Sequence, residues 1–394
     1  MWHTYLNFRL PNIYSSQRHK FRWIKNIGEY IIYKYSVRLD SQLIDEGYGE
    51  WMDIWNELAL PAGKRSAYND MIGNTPDMYE PVAEDVFAII KNNEVSYSYY
   101  PDGSNPGSKP SIAERRLLTH LPFWFSKNPA LALPLVALQY QNVEITVEFR
   151  AVEDLYQLWD NVSETYVSPS RFRTLFPSEA ATASLGNFLA PGGNGGNNTL
   201  DLDAYIECNY IFLDENERKI LATSTLDYLV ERTYRTEQSG VVSQGTINLV
   251  LSNPVKELLW IARRNDVADR NDWTNFTGTF PENKLAPILN SAKLLWNGLD
   301  RTEEKTGDFF NRVQPYQHHT NNPRQGVYCY SFALYPEKWQ PSGHFNASML
   351  NRIQLYVSTN NYNQALQEYT FTIYSLYYNI FHVVSGSGGM VSAN

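Results

Sequence analysis

Apolar and polar residues alternate along several stretches of the chain. In EYIIYKYSVRL, Ile31, Tyr33, Tyr35, Val37 and Leu39 share one face while Lys34, Ser36 and Arg38 share the other. A period of two puts successive side chains on opposite sides of the backbone, so this segment is predicted to be a strand with one wet face. VEITVEF repeats the pattern, with Val143, Ile145, Val147 and Phe149 opposing Glu144, Thr146 and Glu148; RIQLYV and YTFTIY do the same near the carboxyl end. Half-buried strands of this kind belong to antiparallel sheets. Helical spacing is rarer. GEWMDIWNEL (49–58) places Trp51, Ile54, Trp55 and Leu58 on one face, and residues 214–234 bring Ile220, Leu221, Leu226, Leu229 and Val230 near one stripe. The acidic start of the second, Asp214, Glu215 and Glu217, suits a helix amino end. It is the longest predicted helix and lies near the midpoint, between two strand-rich halves, so the domain connection is placed there.

Turn chemistry fills the intervals. Asn297-Gly298, between KLLW and LDR, predicts a type I′ hairpin. NDMIGNTPDMYEPVAED, YPDGSNPGSKPS and LAPGGNGGNNTLD, rich in Gly, Pro, Asn and Asp, predict long projecting loops. The glycines at 192–198 satisfy neither the dinucleotide fingerprint nor the phosphate-loop pattern. No period of 20 to 50 residues recurs, as propellers and solenoids require. Strands in both halves, no alternation of strand and helix, and 394 residues, enough for two cores, together predict an all-β chain of two tandem β-sandwiches.

Composition sharpens this picture. The chain is 14% aromatic and only 19% charged, a bias toward side chains that fit pleated surfaces. A net charge of −9 argues against a protein that coats nucleic acid, which needs a cationic footprint. Residues 1–39 nevertheless carry Arg9, Arg18, Lys20, Arg22, Lys25, Lys34 and Arg38 against Glu29 alone, a charge of +6 that leaves −15 on the rest. That stretch is either a docking surface for something anionic or a solvated strand edge protected from aggregation. Cys208 and Cys329 stand far apart in aromatic, strand-like runs, which suits buried thiols better than a disulfide framework. The start has no signal-peptide layout, and the most apolar run, PALALPLVALQY (129–140), is too short and too proline-broken to span a bilayer. A soluble, unsecreted chain is expected.

Candidate chemistry is sparse. His318 and His319 invite a metal, but adjacent residues on a strand point to opposite faces. Asp201 with Asp203, and Glu303 with Glu304, could form acid/base pairs, yet their contexts predict wet loops. Trp51, Trp55, Trp124, Trp260 and Trp296 lie in apolar runs where packing is the default, while Trp339, beside Pro336 and Pro341, fits a subunit contact as well as a core. No catalytic, cofactor-binding or metal residue is assigned, no cofactor is called for, and an enzyme is not expected.

Seven blocks then resemble, in order, the major capsid proteins of nucleocytoplasmic large DNA viruses: LDSQLIDEGYGEWMDIWNEL (39–58), LPLVALQYQNVEITVEFR (133–150), YIECNYIFLDENERKIL (205–221), NPVKELLWIAR (253–263), FFNRVQPYQHHT (309–320), YSFALYPEKWQPSGHFNASML (330–350) and YYNIFHVVSGSGGMVSAN (377–394). The resemblance implies a double jelly roll: a first jelly roll over 1–213, a short helical linker over 214–238 and a second jelly roll over 239–394. It implies a homotrimer forming a pseudo-hexameric capsomer that tiles an icosahedral shell. Neighbouring capsomers, minor capsid proteins and an inner virion membrane would be its partners, with no direct nucleic-acid contact, in a virion assembled in the host cytoplasm. A glycan-binding attachment protein on the same fold is the alternative. Family members generally carry some tens of residues, including a first strand, ahead of the region matching TYLNFRLP, which here begins almost at Met1. The expectation is therefore that another segment covers that sheet edge or that residues 1–20 are disordered.

Overall fold

The computed structural model describes residues 1–15, 20–80, 87–91, 94–98, 110–191, 199–362 and 367–392, with only the backbone described for 87–91 and 94–98. Every strand pairing among them is antiparallel. The fold is two tandem jelly-roll sandwiches, each built around its own apolar core.

Among the described residues, the first half contains three three-stranded sheets and a hairpin. Thr4–Leu10 lies between Arg115–His120 and Tyr205–Cys208, so it is paired along both edges. Residues 1–15 are thus ordered; 16–19, with Arg18, fall outside the described residues. Ile32–Leu39 lies between Gln42–Tyr48 and Val143–Phe149. Tyr35, Val37 and Leu39 hold the predicted apolar face, but Ser36 opposite them is buried too, and Tyr33 is exposed, because the register slips between Ile32 and Lys34 and such a bulge turns a side chain to the other face. Phe21 anchors the core, stacked on Tyr156 and edge-on to Trp23.

In the second half, one sheet runs Leu226–Val241, Tyr369–Val384, Pro254–Arg264, Val327–Ser331, and the facing sheet runs Gln244–Leu249, Ile353–Thr359, Leu289–Trp296, Leu299–Asp300. Leu258, Trp260, Ala262, Phe371 and Ile373 of the first sheet meet Ile247, Leu294, Leu355 and Val357 of the second. Asn297 and Gly298 both take positive φ, 51° and 84°, and Trp296 pairs with Leu299 across them, as a type I′ turn requires.

The connection differs from expectation. Residues 214–238 are helical only over Glu215–Thr223, and Leu226–Val241 is a 16-residue strand paired with Tyr369–Val384 from Leu226↔Val383 to Val241↔Tyr369. The helix start was legible: the Asp214 side chain accepts from the Glu217 N–H and Glu217 returns the bond to Asp214 N–H, closing a capping box. Beyond extended Ser224, Leu226, Tyr228 and Val230 point into the first core while Asp227 and Leu229 are exposed. A period of two therefore governs residues that had fitted a helical stripe.

One predicted loop, NDMIGNTPDMYEPVAED, is also revised: its start is the end of the helix Ala62–Ile72, and Pro76–Tyr79 within it is helical. Most of YPDGSNPGSKPS, and the Gly-rich 192–198, lie outside the described residues.

A third apolar cluster joins the halves. The predicted helix is present as Gly49–Ala59, and its Trp51, Ile54 and Leu58 press on the outer face of the second sandwich at Leu259, Ile261, Val327, Cys329, Tyr374 and Leu376. Gly49 permits the helix to begin there, since a Cβ would lie 2.1 Å from the Glu29 carbonyl oxygen and 2.3 Å from that of Ile32. Residues 371–379 of Tyr369–Val384 are consequently buried on both faces, not on one as YTFTIY predicted. Trp51→Ala should cost about 3–5 kcal/mol, the range for emptying a large aromatic site, measured as a lowered urea midpoint with an unchanged slope.

Candidate functional site

The polar face of Gly49–Ala59 meets two arginines of the second sandwich. Glu50 pairs with Arg263, whose guanidinium also donates to the Trp273 carbonyl at 2.7 Å and to the Tyr30 hydroxyl at 3.3 Å. Asp53 receives both terminal nitrogens of Arg324, and it also accepts from Asn26 Nδ2 and Tyr30 Oη at 2.8 Å each. Glu57 accepts from the Arg324 backbone N–H at 3.1 Å and from Arg65 at 2.9 Å. Burial pushes both guanidinium pKa values down, but the facing carboxylates more than offset it and hold them above their ordinary range. The fork of an arginine matches a carboxylate bidentately, so these pairs fix angle as well as distance.

Glu29 sits behind this interface, fully buried, accepting from Tyr68 Oη at 2.5 Å and Asn56 Nδ2 at 2.9 Å. Burial, then the nearby Asp53 charge, pushes its carboxyl up to about 8. It is therefore protonated at neutrality.

A second polar cluster lies on the same outer face. The imidazole of His319 is shielded from solvent; its Nε2 is 2.6 Å from Glu257 Oε1 and its Nδ1 3.0 Å from Glu337 Oε1. Burial pushes the imidazole down, but Glu257 first, then hydrogen bonds to Cys329, Glu257 and Glu337, raise it to about 12. Burial likewise pushes the Cys329 thiol up to about 11. Glu337 also accepts from the Thr320 N–H at 2.8 Å, and His318 Nδ1 lies 3.1 Å from the Leu334 carbonyl. These contacts pin the loop 332–343, which presents Leu334, Tyr335 and Trp339 to solvent.

An apolar flank completes the picture. Tyr210, Ile211 and Phe212 are exposed, Phe212 by 92%, and line a groove of about 420 Å³ with Met1, Leu133, Pro134 and Tyr228. Leu229, exposed on the next residue, borders a smaller cavity with Leu131, Trp339 and Tyr378. The flank thus draws residues from both halves.

Comparison with known proteins decides what this architecture is. Residues 3–214 match the family model described as the major capsid protein N-terminus, and residues 217–389 match that of the large eukaryotic DNA virus major capsid protein. The chain belongs to this capsid protein family. The two models meet at the amino end of the helix Glu215–Thr223. The major capsid protein of Phaeocystis pouchetii virus is 29% identical, across 100% of this chain and 87% of the relative. In structure, the capsid protein is similar to VP54 of PBCV-1, with a TM-score of 0.68, 23% identity and coverage of 100% and 90% of the two chains. It is also similar to the Faustovirus major capsid protein, with a TM-score of 0.66, 12% identity and coverage of 97% and 85%. The capsid protein is a structural component of the virion shell, and its family favours that role over the glycan-binding alternative.

The residues weighed in the sequence take varied places in the capsid protein. Asp203 pairs with Arg116 at 2.6 Å, and its N–H donates to Asp201 at 3.2 Å. Glu303 pairs with Lys305 at 2.9 Å while Glu304 accepts from Ser291, so the two diverge. Trp124 and Trp260 are core, Trp51 is in the interface cluster, and Trp339 is 46% exposed. Cys208 and Cys329 are both free thiols, Cys208 half-buried and Cys329 buried. The basic stretch is largely built into the fold: Arg22 bonds Gln157 and stacks on Tyr166, Lys20 lies over Trp159, and Lys34 pairs with Glu46 at 2.7 Å. His318 closes the helix Gln314–His318, so the argument from strand geometry does not apply to it and His319.

Sequence reasoning missed Glu257, Glu337, Arg263 and Arg324. A signal existed for one of them, since Glu257 follows Lys256 inside the apolar run NPVKELLWIAR, where a charge is costly unless paired.

Two measurements check the interface. Arg324→Met strands the Asp53 carboxylate and should cost about 3–5 kcal/mol in denaturant unfolding, the range for breaking one side of a buried pair. Glu29 binds its proton more tightly folded than unfolded. Its stabilising contribution is therefore complete below about pH 4.5 and gone once the pH has risen through about 8. Unfolding midpoints of the wild type should fall over that window, and Glu29→Gln should flatten the fall.

Proposed function

We propose that three copies of this capsid protein close into a trimer whose six sandwiches form a pseudo-hexagonal block, and that such blocks tile an icosahedral shell. Two similar antiparallel sandwiches per chain supply six like-shaped units around a threefold axis, and closed cyclic symmetry is the ordinary way such units assemble. The observation that carries the reading is the apolar flank: a monomer rarely leaves a contiguous patch such as Tyr210, Ile211 and Phe212 open to water beside half-buried Tyr228. Family membership supports a non-catalytic role, contact with minor capsid proteins and an inner membrane, and assembly in the host cytoplasm. The net charge of −9 supports a shell that does not touch nucleic acid directly.

Sedimentation of the purified chain should give a trimer that survives dilution to micromolar concentration, since permanent interfaces bury more than about 2,000 Å². Ile211→Asp with Phe212→Asp should convert it to monomer with an unchanged far-UV spectrum. A wild type that sediments as a monomer would sink the trimer, and a double variant that stays trimeric would move the contact away from this flank.

A further inference from the structure

We propose that Glu257, His319 and Cys329 form a binding site for a borderline-soft divalent cation of the zinc type, with Glu337 orienting the imidazole. The three come from separate elements: Glu257 from Pro254–Arg264, Cys329 from the neighbouring strand Val327–Ser331, and His319 from the residue after the helix Gln314–His318. In the strand register Leu259 faces Cys329 and Glu257 faces Ser331, so Glu257 and Cys329 are diagonal neighbours on one face of the sheet. One ligand atom from each of the three residues lies within 4.8 Å of the other two. Tetrahedral zinc with such donors separates them by about 3.3–3.7 Å, a spacing that small side-chain rotations reach.

Two observations go beyond proximity. Glu257 Oε2 is buried without a hydrogen-bond partner among the described residues, although an orphaned buried carboxylate oxygen is costly. A cation in the cluster would satisfy it. His319 Nδ1 is already held by Glu337 at 3.0 Å, the carboxylate contact that fixes the tautomer of a metal-bound histidine and leaves Nε2 to the metal. A thiolate, an imidazole and a carboxylate form a mixed S/N/O set that suits zinc and not magnesium or calcium, which want oxygen alone. The consequence is mechanical: a metal on His319 would clamp, through Glu337, the loop 332–343 that presents Leu334, Tyr335 and Trp339.

The test uses the full chain, expressed with zinc supplied and then exchanged with Co²⁺. Elemental analysis should find one equivalent of zinc per chain after gel filtration. The cobalt form should show tetrahedral visible bands and a near-ultraviolet sulfur-to-cobalt charge-transfer band. Cys329→Ser should abolish the charge-transfer band and His319→Gln should lower metal content at least tenfold, while Cys208→Ser should leave both unchanged. Chelation should lower the unfolding midpoint of the wild type and leave that of Cys329→Ser unmoved. The cobalt spectrum of the wild type needs no variant to fold. Metal content far below one equivalent, a cobalt form without thiolate charge transfer, or a band that survives Cys329→Ser would each overturn the site.

Discussion

The antiparallel ladder between Leu226–Val241 and Tyr369–Val384 is the interaction on which the rest depends. Odd positions of the second strand enter two cores in succession: Tyr369, Phe371, Ile373 and Tyr377 belong to the second sandwich, Phe381 and Val383 to the first. Even positions Tyr374 and Leu376 take the other face, under Trp51. In the partner strand Val230 faces the first core, and a register shift between Gln238 and Val241 turns Val241 into the second. A single ladder with one bulge thus pairs its backbone groups while its side chains serve three apolar clusters.

Charge then selects how the halves meet. Apolar contact through Trp51, Ile54 and Leu58 is not directional, and it would tolerate a range of helix settings. Pairing Glu50 with Arg263 and Asp53 with Arg324 removes most of that freedom, because a stranded buried carboxylate costs more than the pair gains. The pairs therefore act on specificity of docking more than on net stability.

How much of this could be read from the chain depends on how local each cause was. The Asn297-Gly298 turn and the Asp214–Glu217 capping box were legible because four residues suffice to determine them. The helix Gly49–Ala59 was legible from its apolar spacing, but nothing near it named the sheet it covers. Leu226 and Val230 misled because they satisfy both periods, Leu229 completed only the helical one, and only pairing with a strand about 150 residues later chooses between them. Ala62–Ile72 was missed since its residues are mostly exposed and carry no apolar stripe. The His319 cluster was invisible for the same reason as the ladder: its members meet only after strands and loops distant in sequence have closed.

The long ribbon also determines how the subunit bears load. At about 3.3 Å per residue it extends for roughly 50 Å, through both sandwiches. A flexible linker between two such bodies would act as a hinge, and curvature of the sheet they build would concentrate there. A ladder pulled along its strands strains its hydrogen bonds in shear, all together, instead of opening them one at a time. Each subunit accordingly joins its two sandwiches by continuous strand pairing and not by a flexible tether.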